Sequence, residues 1–282
     1  MRPLSAWPID DRRRITGVFT DIDDTLTTRS VITADALQAL ADLTAAGLVV
    51  VPITGRPIGW CAPFMAGTNA PPWPVEAMVA ENGAVAFGLK PAWNMRRPLS
   101  KLYQQDATDR AENNTRMAQI AQQVLQAVPS AMLTQDRGGR ETDLAFDYNE
   151  FNRMESGAVA QVVSILQAHG MHTTVSSIHI HGCFGDFNKW MGACWIVQQL
   201  WGRTLADELD RWVFVGDSGN DQAMFEHFTH SVGVANIVRF APQMQHLPRY
   251  VAPSERGAGF AEVARAILVA KNGTNAHGTT SK

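Results

Sequence analysis

The N-terminal part of the chain alternates apolar runs with a segment of helical spacing. Residues 15–20 are apolar and β-branched, and residues 48–53 form an almost continuous apolar run, the pattern of a strand buried on both faces of a parallel sheet. Between them, Thr33 is placed to cap a helix over 34–46, and Gly47 follows that helix. This alternation predicts an α/β fold around a mostly parallel sheet.

The middle of the chain has a different pattern, with turn residues and shorter apolar runs. Residues 75–80 and 84–87 predict two strands joined by Glu81, Asn82 and Gly83, whereas residues 88–112 show no clear period. Two helices and further strands are predicted at 114–128, 131–134, 141–148, 155–169 and 172–181. Their order predicts an α+β layer with its helices on one face of an antiparallel sheet.

The alternating pattern returns after residue 185. Helices are predicted at 189–201, 221–228 and 259–271, and strands at 212–215, 231–234 and 250–251. We therefore predict a doubly wound, Rossmann-like core formed by residues 1–84 and 187–271. The same pattern predicts an α+β domain inserted at 85–186 and a disordered polar tail at 272–282.

Composition excludes several classes of protein. The 282 residues are 45% hydrophobic with a net charge of −3, and the scattered basic residues argue against a nucleic-acid surface. No apolar stretch reaches the roughly 20 residues of a membrane span, and the N-terminus lacks the apolar core of a secretory signal. Cys61, Cys183 and Cys194 have no metal-type spacing and suit a reducing compartment. We expect a cytoplasmic protein without a nucleic-acid, membrane or obligate protein partner.

Chemically reactive residues follow the apolar strands or begin a helix. Asp21 and Asp23 come directly after the first strand, Thr54 after the second, and Asp217 after the strand at 212–215, while Lys189 begins a helix. The carboxyl ends of neighbouring parallel strands meet at one edge of a sheet, where ligands bind in open α/β folds. We therefore expect these residues to share one cleft.

These residue types match the needs of phosphoryl transfer. A carboxylate can attack phosphorus, but only if a cation reduces the repulsion between the two anions. Asp21 and Asp217 can hold Mg²⁺, which prefers oxygen ligands. Thr54 offers a hydroxyl and an N–H to a phosphoryl oxygen, and Lys189 offers a positive charge. Asp23 can give a proton to the leaving group and later take one from water.

The segments Asp21-Ile-Asp-Asp-Thr25 and Gly216-Asp-Ser-Gly-Asn-Asp221 together resemble two motifs of the haloacid dehalogenase superfamily of phosphatases. The resemblance covers most of the core and is specific because both motifs occur in this order. It implies that Asp21 is the nucleophile and that Asp23 is the general acid and base, whose backbone carbonyl also ligates Mg²⁺.

The same resemblance assigns the remaining core residues. Thr54 matches the second motif and, with Gly55, is expected to bind phosphate, as is Lys189 from the third motif. Asp217 is expected to bind the metal. Asn220 and Asp221 are expected to ligate or support it.

The insertion between the second and third motifs resembles the type-two cap, subclass B. That cap occurs in sucrose-phosphate and mannosyl-3-phosphoglycerate phosphatases and in phosphomannomutases. The resemblance thus implies a Mg²⁺-dependent phosphatase that hydrolyses a small phosphorylated sugar or glycoside through an aspartyl-phosphate.

Two positions depart from the family pattern. Asp24 stands where glycine is frequent, but Asp tolerates the left-handed turn conformation. Trp190 stands where glycine often follows the third-motif lysine, and no other lysine lies between 102 and 188.

Several polar residues are candidates for substrate contacts. Arg56 could bind phosphate, substrate or a core carboxylate, and Asn82 is a turn residue near the site. His179 and His181 face the same side of a predicted strand and could bind sugar hydroxyls, a metal, or nothing beyond an ordinary polar face. The remaining candidates, Arg140 and Glu141 with Asp143 beside them, could bind a sugar or acid but are more often surface residues.

Other functions are compatible with these motifs. A phosphomannomutase-like phosphoryl transferase would use the same residues and return phosphate to the sugar. A regulator that binds sugar phosphates would keep a dormant site. Dehalogenase and phosphonatase activities are disfavoured, because those relatives lack an acid at the position of Asp23.

Overall fold

The computed structural model of the protein describes residues 1–68, 71–89 and 99–273. The strands in these ranges are β1 (Arg2–Pro3), β2 (Gly17–Thr20), β3 (Thr27–Thr28), β4 (Val31–Ile32), β5 (Val49–Pro52), β6 (Ala77–Ala80), β7 (Val85–Leu89), β8 (Leu99–Tyr103), β9 (Met132–Leu133), β10 (Asp143–Asp147), β11 (His172–Val175), β12 (His179–Cys183), β13 (Trp212–Gly216), β14 (His230–Gly233) and β15 (Tyr250–Val251). The α-helices are α1 (Ile9–Arg14), α2 (Ala34–Ala45), α3 (Ile58–Ala66), α4 (Ala107–Ala127), α5 (Ser156–Ala168), α6 (Lys189–Trp201), α7 (Gln222–His227) and α8 (Arg256–Asn272).

A six-stranded sheet in the order β1-β15-β14-β13-β2-β5 forms the core, and every neighbouring pair is parallel. Side chains alternate between its two faces. Val18 packs with α2 and α8 on one face, and the adjacent Phe19 packs with α6 and α7 on the other. This arrangement confirms the predicted doubly wound, mostly parallel α/β fold.

An antiparallel sheet, β6-β7-β8, lies beside the core sheet, to which it is joined by a parallel bridge between Ile53 and Val79. Strand β8 falls in the region without a clear sequence period. Val85 packs in the same cluster as the α2–α8 face, and Ala86 packs in the cluster of the α6–α7 face. Residues up to the end of β8 thus pack with the core sheet. The start of the inserted domain at residue 85 remains a prediction.

The inserted layer is a four-stranded antiparallel sheet, β11-β12-β10-β9, packed against α4 and α5. Its hydrophobic cluster includes Met117, Phe146, Val162 and Ile180. Helix α4 begins seven residues before the predicted start because Asp106 caps it, accepting a 2.9 Å hydrogen bond from the Asp109 N–H. The polar first turns of α4 contain no apolar period by which they could be predicted.

Three local features differ from the sequence prediction. Thr33 precedes α2 but makes no capping hydrogen bond, because its hydroxyl packs against Gly257, where a Cβ would lie 1.9 Å away. The apolar segment of α3 was not predicted. The predicted tail begins inside α8, whose last residue is Asn272, and residues 274–282 lie outside the described ranges. None of the helices in those ranges is long and apolar enough to cross a bilayer.

Candidate active site

The carboxyl edge of the core sheet carries the predicted acidic residues. Asp21 directly follows β2, and its N–H donates a 2.8 Å hydrogen bond to the Val215 carbonyl of the neighbouring strand. Asp217 follows β13, and Thr54 lies just beyond β5. All three side chains are buried. The structure therefore brings these strand ends together, as expected from the parallel sheet.

Lys189 joins two of the carboxylates. Its ammonium donates to Asp21 Oδ1 at 2.6 Å and to Asp221 Oδ1 at 2.7 Å. All three side chains are almost fully buried. Burial alone would lower the pKa of Lys189, but the two carboxylates raise it above its usual value. The lysine is therefore held in its charged form next to Asp21.

The loop after β13 is a compact turn held by Asp221. Its Oδ2 accepts hydrogen bonds from the Asp217 N–H at 2.8 Å and the Ser218 N–H at 3.0 Å, completing a capping box with Ser218. Asn220 donates to Asn82 Oδ1 at 3.0 Å. Asp221 and Asn220 thus support the loop, whereas the side chain of Asp217 takes no part in these hydrogen bonds.

Asp217 has an unsatisfied oxygen. Its Oδ2 accepts a 2.9 Å hydrogen bond from Asn236, but its buried Oδ1 has no hydrogen-bond partner in the described part of the chain. Asn236 was missed in the sequence, although it follows β14 at the same sheet edge and could have been found by the rule that located Asp217. A buried carboxylate oxygen without a donor is costly unless a proton or a cation compensates it.

Oxygens of Asp21, Asp217 and Asp221 lie within 4.8 Å of one another. Burial, followed by the charge of Asp221, raises the pKa of Asp21 to about 7 against the opposing effect of Lys189. Burial and the charge of Asp21 raise the pKa of Asp217 well above its usual value. Because both Asp221 oxygens are already bonded, Asp21 and Asp217 are the side chains free to hold a cation. All-oxygen ligands suit a hard divalent ion.

Asp23 is paired with Arg56. The guanidinium donates from Nη2 to Asp23 Oδ1 at 2.8 Å and from Nε to Oδ2 at 2.9 Å, a bidentate geometry. Of the alternatives for Arg56, the structure favours the carboxylate partner. Arg56 also donates to Glu150 at 2.7 Å and to Asp136 at 3.2 Å, both from the inserted layer. One buried guanidinium thus connects the core carboxylate to two acids across the cleft.

Known proteins share this architecture. Residues 18–129 match the family model of haloacid dehalogenase-like hydrolases. The chain has the haloacid dehalogenase fold. A sequence comparison with curated proteins gives no match.

The solved structures with this fold extend along nearly the whole chain. The sucrose-phosphatase of Synechocystis, solved with sucrose and phosphate, is 16% identical with a TM-score of 0.64, and the match covers 91% of this chain and 98% of that one. The trehalose-6-phosphate phosphatase C-terminal domain of C. albicans is 13% identical with a TM-score of 0.61, covering 94% and 95%. A subclass IIB sugar phosphatase is 14% identical with a TM-score of 0.59, covering 92% and 99%. These similarities confirm the resemblance seen in the motifs, at the level of the haloacid dehalogenase fold.

The inserted layer is called the cap from here on, after the domain predicted from the sequence. Its polar residues are more buried than expected. The side chains of Arg140 and Asp143 are buried rather than at the surface, because Arg140 donates to Asp143 Oδ1 at 2.8 Å and to the Gly55 carbonyl at 3.1 Å. Glu141 is half-buried and pairs with Lys101 and Tyr103 of β8. The ion pair between Arg140 and Asp143 offsets the cost of burying two charged side chains.

Both cap histidines are buried beside acids. His179 Nε2 is hydrogen-bonded to Glu150 at 2.8 Å, and His181 Nδ1 to Asp143 at 3.0 Å. Burial raises the pKa of Glu150, but His179 and Arg56 lower it to about 2. Atoms of His179, Glu150 and Asp147 lie within 4.8 Å of one another. Because Arg56 already binds Glu150, an ion pair rather than a metal explains this cluster best. Glu150 was missed in the sequence, because it lies in a loop without a pattern.

The turn after β6 links the core to the cap. Glu81 is fully buried and accepts hydrogen bonds from the Ile58 N–H at 3.0 Å and from the Thr142 N–H at 2.6 Å. Burial raises the pKa of Glu81 to about 7. Asn82 adopts a φ of 52° and meets Asn220, which places it beside the site as expected. Glu81 was predicted only as a turn residue, and its role in joining the two layers appears in the structure alone.

The two departures from the family pattern are accommodated. Asp24 has a φ of 56°, the left-handed conformation expected for a residue that replaces glycine, and accepts a 2.7 Å hydrogen bond from Arg256. The ring of Trp190 is stacked at 4.6 Å on His227 and packed against the α6–α7 cluster. A tryptophan after Lys189 is therefore compatible with the ion pairs of that lysine.

Proposed function

We propose that this chain is a Mg²⁺-dependent phosphatase that hydrolyses a small phosphorylated sugar or glycoside through an aspartyl-phosphate on Asp21. The observation that carries this proposal is the enclosed group of Asp21, Asp217 and Lys189, in which one buried Asp217 oxygen has no partner among the described residues. Such a group suits a cation together with a phosphoryl dianion. A neutral ligand would compensate the buried charges of these side chains less well.

Asp21 and Asp217 would hold Mg²⁺, with the backbone carbonyl of Asp23 as a further ligand. When bound, the ion would supply charge neutralisation that lets a carboxylate approach a phosphate dianion. The chemistry of the donor set fits, because every group offered is an oxygen.

Asp21 would form a bond from a carboxylate oxygen to phosphorus while the bond from phosphorus to the leaving oxygen breaks. The leaving oxygen takes its proton from Asp23. In the second step Asp23 accepts a proton from water, whose oxygen attacks phosphorus and releases Asp21. The bidentate pair with Arg56 holds the Asp23 carboxyl group in place for both proton transfers.

The phosphoryl oxygens would meet Thr54, Gly55 and Lys189. The Thr54 hydroxyl oxygen accepts a 3.0 Å hydrogen bond from the Arg56 N–H, which leaves the hydroxyl proton available to donate to phosphate. Lys189 keeps its charge beside Asp21 and reduces the repulsion between the attacking oxygen and the phosphate.

The sugar part of the proposal is supported by relatives with the same fold, among them a sucrose-phosphatase and a subclass IIB sugar phosphatase. The three free cysteines, none of them in a disulfide, are compatible with the cytoplasm as the place of this reaction.

Release of inorganic phosphate from a panel of sugar phosphates, with and without Mg²⁺, tests the proposal. We expect release only with the metal. Asp21→Asn should lower the rate at least about a thousandfold, whereas the exposed Asp207→Asn should keep it. Transfer of phosphate to an acceptor sugar, without free phosphate, would identify a phosphomannomutase-like transferase instead. Tight binding of sugar phosphates without turnover in Mg²⁺ would indicate the regulator.

A further inference from the structure

A polar cavity lies between the core and the cap. It has a volume of about 530 Å³ and is bordered by Asp23 from the core and Glu150 from the cap. Asp23 is 8% exposed. Asp23 must contact the leaving oxygen if it protonates it, so the alcohol part of a substrate has to extend into the space that Asp23 borders.

Four arginines from separate segments converge on this cavity. They are Arg29 in the turn between β3 and β4, Arg153 in the cap, Arg239 after β14 and Arg256 at the start of α8. Guanidinium groups bind carboxylate and phosphate oxygens with paired hydrogen bonds. This concentration of positive charge beside a proposed proton donor is not needed to bind a neutral sugar.

Two of these arginines are already neutralised and two are not. Arg239 pairs with Glu255 at 2.8 Å, and Arg256 pairs with Asp24 at 2.7 Å. Arg153 is hydrogen-bonded to the neutral Asn149, and neither it nor Arg29 has a carboxylate partner within the described ranges.

The acids in the cavity wall do not neutralise the two remaining arginines either. Asp23 and Glu150 are both bound by Arg56, which does not line the cavity, and Asp24 is bound by Arg256. Two guanidinium groups are therefore available to an anion that enters.

A second cavity of about 830 Å³ lies beside Asn220 and Asn188. Its lining contains no carboxylic acid among the described residues, and many of its residues are apolar or neutral, including Val159, Phe240 and Met244. This cavity does not border Asp23, so a leaving group bound there would have no carboxylic acid to protonate its oxygen. The smaller, arginine-lined cavity is the better place for the leaving group.

We infer that the preferred substrate is a phosphate monoester whose alcohol part carries a second anionic group, a carboxylate or another phosphate, bound by Arg29 and Arg153. This inference rests on the proposed phosphatase function. It narrows the substrate from sugar phosphates in general to phosphate esters with a second acidic group.

Matched substrate pairs test this inference. Phosphoglycerate and glycerol phosphate differ by a carboxylate in place of a hydroxymethyl group, and fructose bisphosphate and fructose monophosphate differ by a second phosphate. p-Nitrophenyl phosphate serves as the reference ester without a second anion. We expect kcat/KM to be about 10-fold to 100-fold higher for at least one anionic member, the range for a hydrogen bond to a charged group. Preference in one pair only identifies which anion is bound.

Variants assign the preference to the two arginines. Arg29→Gln with Arg153→Gln should raise KM for the anionic ester and leave kcat/KM for p-nitrophenyl phosphate unchanged. Arg265→Gln, an exposed arginine of α8 outside this cavity, is the control and should change neither.

Two results would overturn the inference, provided that p-nitrophenyl phosphate is still hydrolysed. One is an equal kcat/KM for both members of each pair, and the other is an equal loss of kcat/KM on all esters in the double variant. Absence of hydrolysis of every ester would instead overturn the proposed function.

Discussion

At the scale of single residues, the pair between Asp23 and Arg56 fixes the position of the proposed general acid and base. Two parallel hydrogen bonds from a guanidinium stabilise the carboxylate, and a lysine offers only a point charge. We expect Arg56→Lys to lower kcat about 10-fold to 100-fold, because a single ammonium cannot orient both oxygens of Asp23 for proton transfer. Phosphate release at saturating substrate measures this change. Arg110→Lys, in the cap helix α4, is the control. An unchanged kcat in Arg56→Lys would contradict this role.

The unsatisfied oxygen of Asp217 leads to a prediction about metal binding alone. Mg²⁺ at about 100 times its dissociation constant should stabilise the folded protein by about 2.7 kcal/mol. Asp217→Asn should lose most of this stabilisation, and Asp207→Asn should keep it. Thermal unfolding with increasing Mg²⁺, without any substrate, measures the effect. Equal stabilisation of the two variants would place the ion elsewhere.

His181 predicts how stability depends on pH. Burial lowers its pKa to about 4, against the opposing effect of Asp143. Above pH 6.5 the ring is neutral in both folded and unfolded chains. As the pH falls from 6.5 towards 4, only the unfolded chain gains the proton, so folding stability is lost, by at most about 3 kcal/mol.

His181→Gln should remove this loss, because glutamine keeps a donor for Asp143 and does not titrate. Chemical unfolding at pH 7 and pH 5 compares the two proteins. A parallel decrease in both would show that another group is responsible.

At the scale of elements, α6 positions Lys189 through close backbone packing. A Cβ on Gly192 would lie 2.4 Å from the Gly83 Cα, so the helix contacts the turn after β6 without any side chain between them. Gly192→Ala should destabilise the fold by about 1–3 kcal/mol despite the better helix propensity of alanine, and it should also lower kcat by displacing Lys189. Gly157→Ala in α5, where a Cβ has open space, should be neutral or stabilising. Thermal unfolding and phosphate release measure both effects, and equal behaviour of the two variants would contradict the packing argument.

The elements that could be predicted from sequence are those whose own residues carry the pattern. Helix α6 was predicted with its observed bounds, and β2 and β13 were recognised because strands buried on both faces are continuously apolar. Strand β8 and the first turns of α4 were missed, because their structure depends on partners distant in the sequence. Tertiary contacts decide such segments, and no local period reveals them.

At the scale of the whole molecule, the structure is a haloacid dehalogenase fold with the cap held against the core by buried charge. Arg56 and Glu81 join the two layers, and neither contact could be predicted from a motif. The aspartates and the lysine of the core could be predicted, because strand ends and motif spacing determine their place. The cap residues could not, since their partners lie in irregular loops such as that of Glu150. Sequence therefore predicted the positions of the core residues better than the contacts of the cap residues.

An acid-quenched single turnover with an ester carrying radiolabelled phosphate tests the nucleophile most directly. In the presence of Mg²⁺, the label should be found on the peptide that contains Asp21, and the Asp21→Asn variant should carry none. Release of labelled phosphate with no label on the protein at any time, or with label on another residue, would contradict the account.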